Sequence, residues 1–198
     1  MHVKKRYSIL AGLGIVAVFT LGACGTDEAG SGASGGTGST TSSTPENADA
    51  GQKGDVTFAQ MMIPHHQQAV EMADAALQKN ASPKVTELAE QIKAAQGPEI
   101  ETMTKWLQEW KAPMTSDQDH GGHGRGGMMA EGDMKNLSAA GGAAFDEMWL
   151  TMMIEHHEGA IDMAEDVLKT TNNSEVKEMA QAIVDGQNKE IATMKALL

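Results

Sequence analysis

From Phe58 onward the core-type positions recur at alternating spacings of four and three: Phe58, Met62, His65, Ala69, Met72, Ala76. This is the stripe of an amphipathic helix. Asn80-Ala81-Ser82-Pro83 interrupts it. Ser82 suits an N-cap and Pro83 a first helical position, so a second helix begins there. Its stripe runs Val85, Leu88, Ile92, Ala95, Glu99, Met103, Trp106, Trp110. Pro98 removes one backbone donor within it, which predicts a kink rather than a stop. The same spacing later in the chain predicts helices over about 138–170 and 174–198.

The second pair repeats the first. Displaced by 91 residues, Met61-Met62-Ile63-Pro64-His65-His66 overlies Met152-Met153-Ile154-Glu155-His156-His157, with 19 identities over the 47 positions from Met61 to Leu107. Asp55 overlies Asp146, and Phe58 overlies Trp149. One helical hairpin cannot bury its apolar face alone, whereas two together can. The predicted class is therefore all-α, an antiparallel four-helix bundle built from two repeated hairpins. Repeat one spans 55–110, a His-, Met- and Gly-rich connection 111–137, and repeat two 138–198. In an up-down bundle the first and third helices run parallel, which is the expectation here.

The chain before repeat one has no helical stripe. Lys4, Lys5 and Arg6 precede an uncharged apolar run from Ile9 to Leu21, the pattern of a secretory signal. It is short for a membrane-spanning helix. Leu21-Gly22-Ala23-Cys24 resembles a bacterial lipobox, which implies cleavage after residue 23, lipid on Cys24, and a cell-membrane location facing away from the cytoplasm. Residues 24–54 are rich in Gly, Ser and Thr and read as a flexible tether. The 15 basic and 27 acidic residues give a formal net charge of −12. Such a balance excludes a nucleic-acid partner, which needs a basic patch. Its lone Cys excludes a disulfide framework and a four-Cys zinc site. No nucleophile elbow, phosphate loop or dinucleotide fingerprint is present.

What interrupts the apolar stripes is informative. His65 and His156 occupy stripe centres, with His66 and His157 rotated by about 100° toward a neighbouring helix. Met62 and Met153 lie one turn before the inward His, and Met61 and Met152 flank them. Glu99 and Glu190 fall on the facing stripes, with Gln96 and Gln187 one turn away. Folding each hairpin about its turn brings these groups to one level. Buried imidazoles and carboxylates are costly unless paired or metal-bound. Imidazole with thioether suits copper, above all Cu(I), whereas imidazole with carboxylate suits zinc, iron or manganese. The structural alternative pairs His65 and His156 with Glu99 and Glu190 to fix register. Without metal, such pairing favours charged imidazoles and weakens stability as pH rises. His120, His123, Met128, Met129 and Met134 in the connection offer a further donor set, set against a reading as solvated linker.

The pattern Asp-x-x-Phe-x-x-Met-Met-x-x-His-His-x-x-Ala-x-x-Met-Ala, Asp55 to Ala73 and again with Trp149 for the Phe at Asp146 to Ala164, resembles the domain of unknown function 305 family. The resemblance covers about 55–198. It implies a ferritin-like fold in an exported bacterial protein, with copper association in some members and no established enzymatic activity. Di-iron bundles carry Glu three residues before the ligand His. Here Met62 and Met153 stand at that place, a soft donor that disfavours oxygen-activating iron. The metal set is thus His65, His66, His156, His157, Met61, Met62, Met152, Met153, Glu99 and Glu190. The leading function is non-enzymatic copper sequestration or transfer. A His/Glu redox enzyme and a metal-free interaction module are the rivals.

Overall fold

The computed structural model describes residues 45–115 and 126–198. Cys24 and the signal sequence lie outside the described residues, as do His120 and His123. The elements are α1 (Pro45–Gln78), α2 (Pro83–Glu109), the short α3 (Glu131–Ala139), α4 (Ala143–Leu168) and α5 (Ser174–Lys195). The four long helices form two hairpins, α1–α2 and α4–α5, which pack through α1 and α4. The fold is the all-α four-helix bundle expected. Among the described residues no helix is long and apolar enough to cross a membrane.

Two boundaries and one cap differ from expectation. Helix α1 starts at Pro45, ahead of position 55 where the tether was expected to end. The glycines that suggest a linker serve close approach instead. A Cβ on Gly51 would lie 3.3 Å from Asn172 Nδ2, and one on Gly54 3.2 Å from Thr170 Oγ1. The helix expected over 138–170 is divided into α3 and α4 by Gly142, whose φ of +60° suits glycine alone. Finally, α2 begins after Ser82, but no side chain caps it. The Ser82 amide donates instead to the Asp146 carboxylate, at 3.2 and 3.3 Å.

That contact reveals the packing direction. Asp146, at the start of α4, grips the α1–α2 turn. Its repeat counterpart Asp55, in the first half of α1, hydrogen-bonds Thr171 in the α4–α5 turn. Trp149, early in α4, donates from Nε1 to the Met72 carbonyl, late in α1, at 2.8 Å. So α1 and α4 run antiparallel, which corrects the expected parallel arrangement. The two hairpins are related by an internal pseudo-twofold axis, the isologous arrangement of a symmetric dimer. The cause is the connection. Helix α2 ends at one end of the bundle and α4 begins at the other, so the chain must climb its full length, as in ferritin-like crossovers. Its contacts mark the climb: Gln60 Nε2 donates to the Pro113 carbonyl, Gln68 to that of Met129, and Leu137 is buried further on.

The core forms two apolar clusters. One holds Met72, Leu88, Ile92, Phe145, Trp149, Met153 and Met194. The other holds Phe58, Met62, Met103, Trp106, Leu107, Ala164 and Ile183. On every long helix the polar residues of interest fall between the two. Trp149 is fully buried, and its repeat counterpart is Phe58. Trp149→Phe leaves the Met72 carbonyl without its indole donor and is expected to cost about 1–3 kcal/mol in denaturant unfolding.

Candidate metal centre

All four layer histidines are buried, His66, His156 and His157 completely. His65 and His156 meet on the pseudo-twofold axis, ring centroids 3.7 Å apart and planes tilted by 36°. His66 Nε2 donates to Glu99 Oε2 at 2.7 Å, and His157 Nε2 to Glu190 Oε2 at 2.7 Å. The expected His–Glu pairing thus exists, but it uses the second histidine of each pair rather than His65 and His156. Helical rotation explains this: the central positions face the axis, and the next residue faces the partner helix of its own hairpin.

These bonds leave a consistent set of lone pairs. The Nδ1 atoms of His65, His66, His156 and His157 are all buried without a hydrogen-bond partner, and His156 Nε2 is also unpartnered. Gln96 and Gln187 are buried in the same layer with side-chain oxygens unpartnered. Native interiors seldom leave such groups unmet. A ligating histidine commonly donates its other ring N–H to a carboxylate, which fixes the tautomer and orients the ring. His66 and His157 have that form. In this structure Glu99 and Glu190 each hold one imidazole through a single carboxylate oxygen.

Burial pushes His65 down to about 3, opposed by its bond to the Gly126 carbonyl and reinforced by the neighbouring His66 and His157. Burial pushes His156 down further still, aided by its three histidine neighbours. Both rings are neutral at physiological pH, with lone pairs free for a metal. These two rings are the axial pair, not the two that bond Glu99 and Glu190. Among the described residues no three His, Cys, Asp or Glu groups converge on one point.

Met62 and Met153 are fully buried one turn before His65 and His156. The flanking methionines lie elsewhere. Met61 is 37% exposed and lines a surface groove beside Phe58 and Met163. Met152 lines a separate cleft described below.

Sequence reasoning missed the strap Gly126–Met129. His65 Nε2 donates to the Gly126 carbonyl at 2.5 Å. Gln68 holds Met129 at both backbone groups, Nε2 to its carbonyl at 2.9 Å and Oε1 from its amide at 2.7 Å. On the other side the strap lies in a notch on α4, where a Cβ on Gly159 would come within 1.8 Å of the Gly126 carbonyl oxygen. The signal was available: Gly159 stands where repeat one has Gln68. The symmetry is broken at that pair because only one connection passes. Gly159→Ala is expected to displace the strap and lower stability by up to about 2 kcal/mol. Overpacking costs about 1–3 kcal/mol, offset by about 1 kcal/mol of helix propensity. Denaturant unfolding checks it.

Fold and site together define a pseudo-twofold four-helix bundle with a buried histidine layer. The chain belongs to the family named for its domain of unknown function, DUF305, whose model matches residues 55–198. It is similar to the crystal structure of a putative secreted DUF305 protein from Streptomyces coelicolor, at 32% identity and TM-score 0.69, covering 73% of this chain and 91% of that one. It is also similar to CopM in its Cu(II)-bound form, at 36% identity and TM-score 0.64, and in its Cu(I)-bound form, at 33% and 0.61. Both comparisons cover 72% of this chain and 94% of CopM. No curated protein sequence matches the chain.

Proposed function

We propose that this protein is a lipid-anchored, extracytoplasmic copper-binding protein that sequesters or transfers the metal as Cu(I). The observation that carries the reading is the quartet of buried, unpartnered Nδ1 atoms in the layer between the two apolar clusters. Neutral imidazoles and the thioethers of Met62 and Met153 supply a soft donor set. Likeness to CopM, solved with Cu(I) and with Cu(II), supports copper as the cargo. Cys24 would carry the lipid, and the membrane would be met through that anchor alone. The folded body, acidic in the whole-chain balance, would then stand off an anionic surface.

One observation favours a second reading. The His66–Glu99 and His157–Glu190 pairs are complete within the protein, so the layer also serves to fix the register of the two hairpins without metal. Anaerobic titration of the purified protein with Cu(I), then Zn(II) and Fe(II), separates the two. The copper reading expects tight Cu(I) uptake that perturbs the buried imidazole resonances, with weaker Zn(II) and Fe(II) binding. Unchanged imidazole resonances with Cu(I) in excess would leave only the register-fixing role.

A further inference from the structure

Outside the His layer, four methionines of the described residues gather in one cleft. A cleft of about 440 Å³ lies between the strap, α3 and α4. Met128 and Met129 enter it from the strap, Met148 and Met152 from α4, and Asp133 and Glu155 also line it. Met148 and Met152 are four residues apart and so lie one turn apart on one helix face. The strap is held independently, by Gln68 at Met129 and by the close seat of Gly127, where a Cβ would meet the Glu155 carbonyl oxygen at 2.3 Å. Two separately fixed segments thus present thioethers to one space. Met129 and Met152 are nearly buried, while Met128 is 36% exposed. The cleft therefore has a methionine floor and an accessible methionine at its rim.

Methionine inside a core fills gaps, a task that Leu or Ile also performs. In an open cleft beside two carboxylates the thioether adds what those residues lack, a soft donor. Asp133 and Glu155 add negative charge that concentrates cations near the opening. Thioether sulfur selects soft ions over zinc or magnesium. We propose that this cleft is a second, outer binding site for a soft monovalent cation, Cu(I) or Ag(I), distinct from the His layer. The inference rests on the reading of the protein as a soft-metal binder. It adds an access point: Met152 adjoins the buried Met153, Glu155 adjoins His156, and the strap rests against the His156 backbone. The cleft occupies the outer flank of the same α4 segment whose inner flank carries the layer.

The test uses the full chain with 13C-labelled methionine methyl groups, titrated with Ag(I) and followed together with the imidazole resonances. The methyl signals of Met128, Met129, Met148 and Met152 are expected to move in one step, separate from the step that moves His65 and His156. Replacing all four by Leu should lower Ag(I) uptake by about one equivalent and leave the imidazole step in place, because the swap nearly conserves volume while removing the soft donor. If that variant does not fold, Met148→Leu with Met152→Leu, or Asp133→Asn with Glu155→Gln, should weaken the methyl step selectively. Immobile cleft methyls alongside a normal imidazole step would overturn the outer site and spare the proposed function. A methyl step without an imidazole step would support the cleft and defeat the buried site. Equal response to Zn(II) would show that the cleft is not selective for soft ions and overturn the proposal.

Discussion

His65→Ala combined with His156→Ala is expected to remove the tightest Cu(I) site, lowering affinity by at least about a hundredfold. Groups that merely orient a metal ligand are worth about 10–100-fold, so loss of two ligands sets a floor at that upper value. The two rings touch on the pseudo-twofold axis, so a single replacement still leaves the other ring in place and should cost less than half as much in free energy. Met62→Leu with Met153→Leu nearly preserves core volume and should weaken Cu(I) more than Zn(II), since only the soft ion gains much from thioether. Glu99→Gln with Glu190→Gln should weaken both ions by about tenfold, because these carboxylates hold His66 and His157 from behind. Competition with a Cu(I) chelator under anaerobic conditions measures all four proteins. Retention of full affinity by the double His variant would show that the layer is not the tight site.

Much of this architecture was legible in the chain. Two copies of a stripe gave the hairpins, and the level of His65, Gln96 and Glu99 followed from counting residues about one turn. Direction did not follow. Equal height of the two His pairs arises from a parallel translation or from a twofold rotation, and repeat spacing cannot distinguish them. The deciding facts are contacts between repeats, Asp146 with Ser82 and Trp149 with Met72. The roles of the paired histidines were inverted for a related reason: the stripe identifies which position faces inward, but the axis geometry determines whether a carboxylate lies there. Glycine was the other source of error. Gly51, Gly54, Gly127 and Gly159 all permit close backbone approach, whereas composition alone marks glycine as linker. The difference between Gln68 and Gly159 at equivalent places was the one sequence clue to the strap.

The metal-free protein is expected to lose about 4 kcal/mol of stability between pH 8 and pH 5, from two imidazoles that titrate near 6.5 when unfolded. Burial holds His65 down at about 3 and His156 further down. Below 6.5 the unfolded chain takes up protons at these two positions that the folded chain refuses. Their contribution is therefore fully present above the unfolded value and is lost as pH falls from it toward the folded value. The limiting slope is about 1.4 kcal/mol per pH unit for each ring. Charged His–Glu pairs in control of stability would give the reverse, a loss on raising pH. Asp55, whose carboxyl burial raises, acts in the opposite sense at the acid end, so absolute stability mixes several groups. The difference between wild type and His65→Gln with His156→Gln isolates the two rings, because that variant keeps Asp55 and both His–Glu pairs. Chemical unfolding in the presence of a chelator, repeated at half-unit pH intervals, should show a wild-type curve falling with acid well below a flatter variant curve. Parallel curves would mean that His65 and His156 accept protons in the folded state, and the neutral donor pair on the axis would not exist. Bound Cu(I) should delay the wild-type fall, since metal and protons compete for the same nitrogens.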